Sequence, residues 1–356
     1  LEEVSDEKGY AINAPKDAGL LSPSQEDSDQ WKDLQFVSGQ AGFVISGDYN
    51  QQAETTTPVS SAIIRVNSYD YGAYGKLKAE VVLEDGTVVP ARSELDVSRD
   101  YVTIPYDEKN NNSIADAWED TNGSGPPEED ADAEPVGNGI PGDGYSRYEE
   151  YRGLLVANIH KRLDPGIKDL AVYVHISVRR VLSNPLAYLK TSSGIEVHEI
   201  YSHEFIDETK RIVNFNGESF KIGDQYGLFV TDDGDPRPIY SYGPNGTPKN
   251  KTKIVVDLSY WNKEFGSSNS PLIADVIDPQ ILRMLIAHEC FHGSSIWHHG
   301  DSPPFDPFVG PACIMRYLNS NHTDTQHIPD YLCTTITAEC EPGRCDCLHR
   351  FYIKDN

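Results

Sequence analysis

Asp278-Pro279-Gln280-Ile281-Leu282-Arg283-Met284-Leu285-Ile286-Ala287-His288-Glu289-Cys290-Phe291-His292 is the stretch on which the reading of this chain turns. Asp278 is suited to cap a helix and Pro279 to fill its first position, where a missing N–H costs nothing. Ile281, Leu282, Leu285 and Ile286 recur at helical spacing, so an amphipathic helix is expected to carry His288. Positions i and i+4 lie about one turn apart on one helix face, so the imidazoles of His288 and His292 can reach one metal ion. Glu289 adjoins the first of them and is placed to take a proton from a water on that ion. His298, ten residues after His288, supplies a third nitrogen and leaves a tetrahedral zinc one open position. Its neighbour His299 is a second candidate for that third ligand.

Further downstream stands Cys313-Ile314-Met315-Arg316-Tyr317. With His288, Glu289, His292 and His298, this segment resembles the metzincin metalloproteases, whose pattern is H-E-x-x-H-x-x-G-x-x-H followed by a Met-containing turn. The resemblance implies a zinc endopeptidase in which Glu289 is the general base and Met315 forms an apolar floor beneath the metal. It also implies that Tyr317 is similar to a movable fifth ligand that stabilises the tetrahedral oxyanion. The substrate is implied to align as an added strand beside an edge strand before the active helix, with Lys253 to Asp257 as the candidate. One position departs from the family. Its glycine falls on Ser295, where positive φ would cost a non-glycine residue about 1 kcal/mol. Gly293 can end the helix instead.

Five of the six cysteines, Cys313, Cys333, Cys340, Cys345 and Cys347, follow the motif, and Cys290 lies inside it. An even, clustered set in a loop-rich tail reads as disulfides, and spacing leaves the pairing open. The tail also resembles, in part, that of archaemetzincins, which implies a second zinc site. Against that, His299 stands where that branch has Cys, and no Cys-x-x-Cys follows Cys333.

Upstream of the helix, Leu170–Ile176, Gly194–His198, Tyr226–Val230 and Lys253–Asp257 are strand candidates, so residues 161–356 are expected to form an α/β, metzincin-like catalytic domain. Residues 107–150 hold 13 acidic and two basic side chains. They contain two similar pieces, Asn110–Glu119 and Gly142–Tyr151. Oxygen ligands at alternate positions with a late Glu suit a hard cation. These pieces resemble degenerate Ca²⁺ loops of secreted bacterial proteins, which implies structural calcium at Asn110, Asn112, Asp116 and Glu119, and at Asp143 and Glu150. In the second piece Gly139 and Pro141 stand where early acidic ligands belong. Residues 107–160 are therefore expected to be a short, acidic, helical connector.

Before it, short β-rich runs (Gly42–Ile45, Ala62–Val66, Leu77–Leu83, Val102–Ile104) predict an accessory all-β sandwich over 35–106, with a hairpin turn at Glu84-Asp85-Gly86-Thr87. Residues 1–34 are expected to be a polar, flexible arm. The whole is read as a multidomain chain.

Thirty basic and 56 acidic side chains leave a formal net charge of −26, which repels phosphate and argues against nucleic acid as a partner. No apolar run reaches the ~20 residues of a membrane span. Secretion is expected, with a peptide or protein as substrate; oligomeric state is not readable. Two rivals stay open. One is a catalytically silent binding or adhesion protein that keeps the metal for structure. The other is a zinc hydrolase of a non-protein amide or ester.

Overall fold

The computed structural model describes residues 1–7, 9–14, 32–132, 142–206, 212–214, 225–232, 239–242, 253–256, 282–283, 286–287 and 289–290. The first part of the chain is a series of short strands: β1 (Leu34–Phe36), β2 (Phe43–Ser46), β3 (Gln52–Thr55), β4 (Val66–Ser68), β5 (Gly75–Lys78), β6 (Glu80–Val82), β7 (Val88–Pro90) and β8 (Tyr101–Ile104). They pair antiparallel as β1–β4, β2–β3, β5–β8 and β6–β7. The stretch Leu77–Leu83, expected as one strand, is two. Ala79 interrupts it, and its carbonyl accepts a hydrogen bond from the Ala91 N–H at 2.8 Å. Of Ala62–Val66 only Val66 is in a strand, and Ile63 is 90% exposed. The turn at 84–87 closes β6 onto β7, with the Leu83 N–H donating to Thr87 and Gly86 at φ +81°. The buried cluster of this region is Val4, Leu34 and Ala73, with Leu1, Val66 and Ile104 packed against it.

The opening residues are not a free arm as far as residue 14. Glu2 exchanges both backbone hydrogen bonds with Lys76, each 2.8 Å, and the Ser5 N–H donates to Tyr74. Ile12, 1% exposed, enters the largest core cluster described, beside Leu154, Leu163, Ala171, Ile200 and Phe205. A polar composition misled here because a few apolar residues, well placed, are enough to anchor a segment.

Two short helices, α1 (Asp116–Asn122) and α2 (Arg147–Arg152), occupy the acidic stretch. Ser146 caps α2 reciprocally with Glu149. Gly153 ends it at φ +81°, where an added Cβ would lie 2.3 Å from the Lys161 carbonyl. Only glycine meets both demands. The chain then forms the hairpin of β9 (Leu154–Val156) and β10 (Ile159–Lys161).

The later part is α/β. It runs β11 (Asp169–Val174), α3 (Ile176–Val181), α4 (Ala187–Ser193), β12 (Glu196–Glu199), β13 (Ile212–Asn214), β14 (Gln225–Tyr226), β15 (Leu228–Thr231), β16 (Ile239–Tyr242) and β17 (Lys253–Val256). Five of these strands form one sheet in the order β12-β11-β15-β17-β16. The first four are parallel, and β16 runs antiparallel to β17. Leu170, Ala171, Val172 and Val174 are all buried, as a strand covered on both faces must be. At Gly227 an added Cβ would meet the Phe205 ring at 2.7 Å and the Ala171 carbonyl at 3.0 Å. Glycine there lets the entry to β15 pass close to its neighbours. The expectation that Lys253–Asp257 is an edge strand is corrected. β17 lies between β15 and β16, and the edge is β16, because an added antiparallel strand covers β17's outer side.

Candidate metal centres

Leu282, Arg283, Ile286, Ala287, Glu289 and Cys290 are helical, as the apolar spacing predicts. Leu282, Ile286, Ala287 and Cys290 are buried. Glu289 is only 3% exposed, a carboxylate drawn out of water beside the buried Leu282, Ile286, Ala287 and Cys290. The Cys290 thiol is fully buried; burial and then the Glu289 charge push its pKa up, so it is held as the neutral thiol. His288, His292, His298, His299, Ser295, Met315 and Tyr317 lie outside the described residues, as do Cys313, Cys333, Cys340, Cys345 and Cys347.

The two acidic pieces fold as loops leading into α1 and α2. In the first, oxygens of Asp107, Asp116 and Glu119 lie within 4.8 Å of one another. Asp107 accepts the N–H groups of Asn111 (2.9 Å) and Ser113 (2.7 Å). Asp116 accepts that of Glu108 at 3.2 Å. Asn110 and Asn112 turn their side-chain amides to Glu119, each at 2.9 Å. The loop thus gathers the four residues expected of it, Asn110, Asn112, Asp116 and Glu119, and adds Asp107. Glu108 is drawn aside by an ion pair with Arg99 at 2.6 Å.

In the second loop, oxygens of Asp130, Asp132 and Asp143 lie within 4.8 Å of one another. Asp130 accepts the N–H groups of Asp143 (3.0 Å) and Gly144 (2.7 Å). Asp143 accepts that of Tyr145 at 2.9 Å and, through its other oxygen, that of Asp169 at the start of β11. Asp132 is 1% exposed and Glu150 2%. Neither oxygen of Asp132 has a hydrogen-bond partner, nor do Glu150 Oε1 and Asp169 Oδ2. Burial, then repulsion from Asp130, pushes the Asp132 carboxyl up to about 7. Burial, then the Asp132 and Asp143 charges, pushes Glu150 up to about 12. Asp143 is raised by burial, then by the Asp132 and Asp169 charges. The facing cation is Lys168, whose ammonium donates to the Gly142 carbonyl.

A third group, Asp169, Glu196 and His198, lies across β11 and β12. Here His198 bonds Asp169 and Lys161 pairs with Glu196. His175 caps α3 through Nδ1, and His203 bonds Asn158.

Sequence reading overlooked Asp107, Asp130, Asp132 and Asp169. The signal for two of them was present: Asp130-x-Asp132 has the spacing of the first two ligands of a calcium loop. Residues 133–141 separate it from Asp143, so a fixed-length template cannot join the parts.

A carboxylate pair elsewhere makes stability depend on pH. Asp33, 1% exposed, faces Asp70; burial and then the Asp70 charge push it up to about 7. A raised folded-state pKa favours the protonated form, so the stability tied to Asp33 is present below the unfolded value of ~3.9 and is lost as pH rises through about 7. Unfolding temperatures of the wild type, measured with calcium saturating, should therefore fall between pH 5 and pH 8. Asp33→Asn should flatten that slope and stabilise the chain by about 1–3 kcal/mol at pH 8. Parallel slopes for the two proteins would refute the assignment.

Comparison with family models, with curated proteins and with solved structures finds no match to this chain.

Proposed function

We propose that the chain is a secreted, zinc-dependent endopeptidase. The observation that carries this reading is His288-Glu289-x-x-His292 followed by His298 and by the turn around Met315. Three imidazoles form a borderline donor set that suits zinc, and the burial of Glu289 fits a base kept away from bulk solvent. Zinc held by His288, His292 and His298 would supply a Lewis acid for the scissile carbonyl and lower the pKa of a water toward ~7. Glu289 accepts the proton of the attacking water and returns it to the leaving amine. Tyr317 donates a hydrogen bond to the oxyanion.

The sheet adds support for an extended substrate. β16 has one partner among the described strands, and its outer side offers a row of backbone groups to an incoming peptide. Calcium at Asn110, Asn112, Asp116 and Glu119, with Asp107, belongs to the same proposal as a structural ion. That all-oxygen set fits a hard cation once the two amides turn their oxygens inward.

The test is cleavage of a broad peptide library by the full chain, with metal content measured on the same sample. Chelator-sensitive peptide hydrolysis with one zinc per chain is expected. No cleavage at full zinc loading would favour the silent binding protein. Turnover confined to small amides or esters would favour the non-protein hydrolase.

A further inference from the structure

The second acidic loop gathers more carboxyl groups than the cations facing it among the described residues can pair. Asp130, Asp132, Asp143, Glu150 and Asp169 bring five carboxylates together. Their charges act on one another, and Lys168 opposes them. His198 is bonded to Asp169. Leaving buried carboxylate oxygens without donors is costly, and here both oxygens of Asp132 and one each of Glu150 and Asp169 are so placed. The first acidic loop provides the contrast, since Asp107, Asp116 and Glu119 all receive hydrogen bonds there.

The order of the second-loop residues has a chemical meaning. In a twelve-position calcium loop, carboxylates stand at positions 1, 3 and 5, a glycine at 6 allows the sharp turn, a backbone carbonyl ligates at 7, and a bidentate Glu closes the shell at 12. Counting back from Glu150 as position 12 puts Tyr145 at 7, Gly144 at 6 and Asp143 at 5. Gly144 has φ +103°, the conformation that position needs. Asp130 and Asp132 then fall into positions 1 and 3, brought there by the fold across residues 133–141. Asp130 ties the two parts together through the N–H groups of Asp143 and Gly144.

We infer that Asp130, Asp132, Asp143 and Glu150 form an interrupted calcium-binding loop, whose ion locks the acidic connector to the parallel sheet. The locking follows from Asp143. One of its oxygens accepts the Asp169 N–H at the head of β11, and its neighbour Tyr145 is buried in the core against Leu154 and Ala171. An ion that fixes Asp143 therefore fixes the entry to the central strands. Oxygen-only donors with no Cys or His among the four select a hard cation, and four carboxylates drawn from two separate stretches of chain suit Ca²⁺ better than Mg²⁺, which demands a tight octahedron. The inference is independent of peptide hydrolysis, and its test requires no cleavage assay.

The experiment uses the full chain, stripped of metal and returned to one equivalent of zinc. Ca²⁺ alone is then titrated by calorimetry, and thermal unfolding is followed with and without it. Ca²⁺ should raise the wild-type unfolding temperature by about 5 °C or more. Glu150→Gln should weaken binding at one site by about 100-fold, while Glu119→Gln leaves that site intact. Asp132→Asn is the second variant, since it keeps the size of the side chain and no N–H group of the described chain donates to Asp132. Without Ca²⁺ both variants should melt at or above the wild type, because each removes a carboxyl whose burial beside other carboxyls is unfavourable; with Ca²⁺ both should melt below it. A wild-type melting point indifferent to Ca²⁺, or unchanged Ca²⁺ affinity in both variants, would overturn the inference.

Discussion

Glu289→Gln should leave the zinc content unchanged and lower peptide hydrolysis by about 10³-fold. Gln has the shape of Glu and keeps the helix, but it cannot accept a proton from water at neutral pH. General acid–base catalysis is worth about 10²–10⁴-fold, and in the proposed mechanism one residue serves both the attack and the departure of the amine. The side chain is 3% exposed, so bulk buffer is a poor substitute for it. The measurement is kcat/KM on a cleaved peptide beside zinc per chain for both proteins. Retained zinc with turnover equal to wild type would remove Glu289 from the chemistry, and with it the endopeptidase reading.

The second large effect concerns the joint between the first and later parts of the chain. Arg152, the last residue of α2, donates from Nε and from Nη2 to one oxygen of Asp70, at 2.8 and 2.6 Å. Asp70 has no exposed side-chain surface, and Arg152 has 7%. Replacing Arg152 by Met keeps much of the apolar stem but strands Asp70 and Asp33 as neighbouring buried acids. Breaking a buried pair from one side costs about 3–5 kcal/mol, so the urea midpoint should drop markedly. Asp70→Asn in the Arg152→Met background should recover part of the loss, since it removes the stranded charge. Equal midpoints for wild type and Arg152→Met would show that the pair contributes nothing to the joint. Glu7 lies 4.0 Å from the same guanidinium, so the docked opening segment shares in this arrangement.

Much of the local structure was legible from residue pattern. The helix through Glu289 announced itself by Ile281, Leu282, Leu285 and Ile286, because a helix must turn an apolar stripe inward every three or four residues. Strands β2, β8, β11, β12, β15 and β17 fall within or overlap the β-rich runs, since β-branched and aromatic residues suit a pleated, buried surface. The 84–87 turn was set by Asp85-Gly86, the latter at φ +81°. Other features depend on pairing partners far away in sequence. Nothing local to Lys253–Val256 says whether a further strand covers its outer side, and β16 does so. Nothing local to Ile12 says that Leu163 and Ile200 will form its pocket.

By itself, then, the sequence determined the chemistry on offer. It set two imidazoles four positions apart with a carboxylate beside the first, and oxygen donors at alternate positions ahead of α1, because covalent spacing alone controls such neighbours. The tertiary structure decided which distant groups complete a site. It brought Asp130 and Asp132 to Asp143 and Glu150 across residues 133–141, set Asp169 against them, and buried four of the five, with Asp130 half-buried. Burial and long-range charge are properties of the packed chain, so carboxylates that look like an ordinary solvated run in sequence become, once folded, a cluster that could hold a cation.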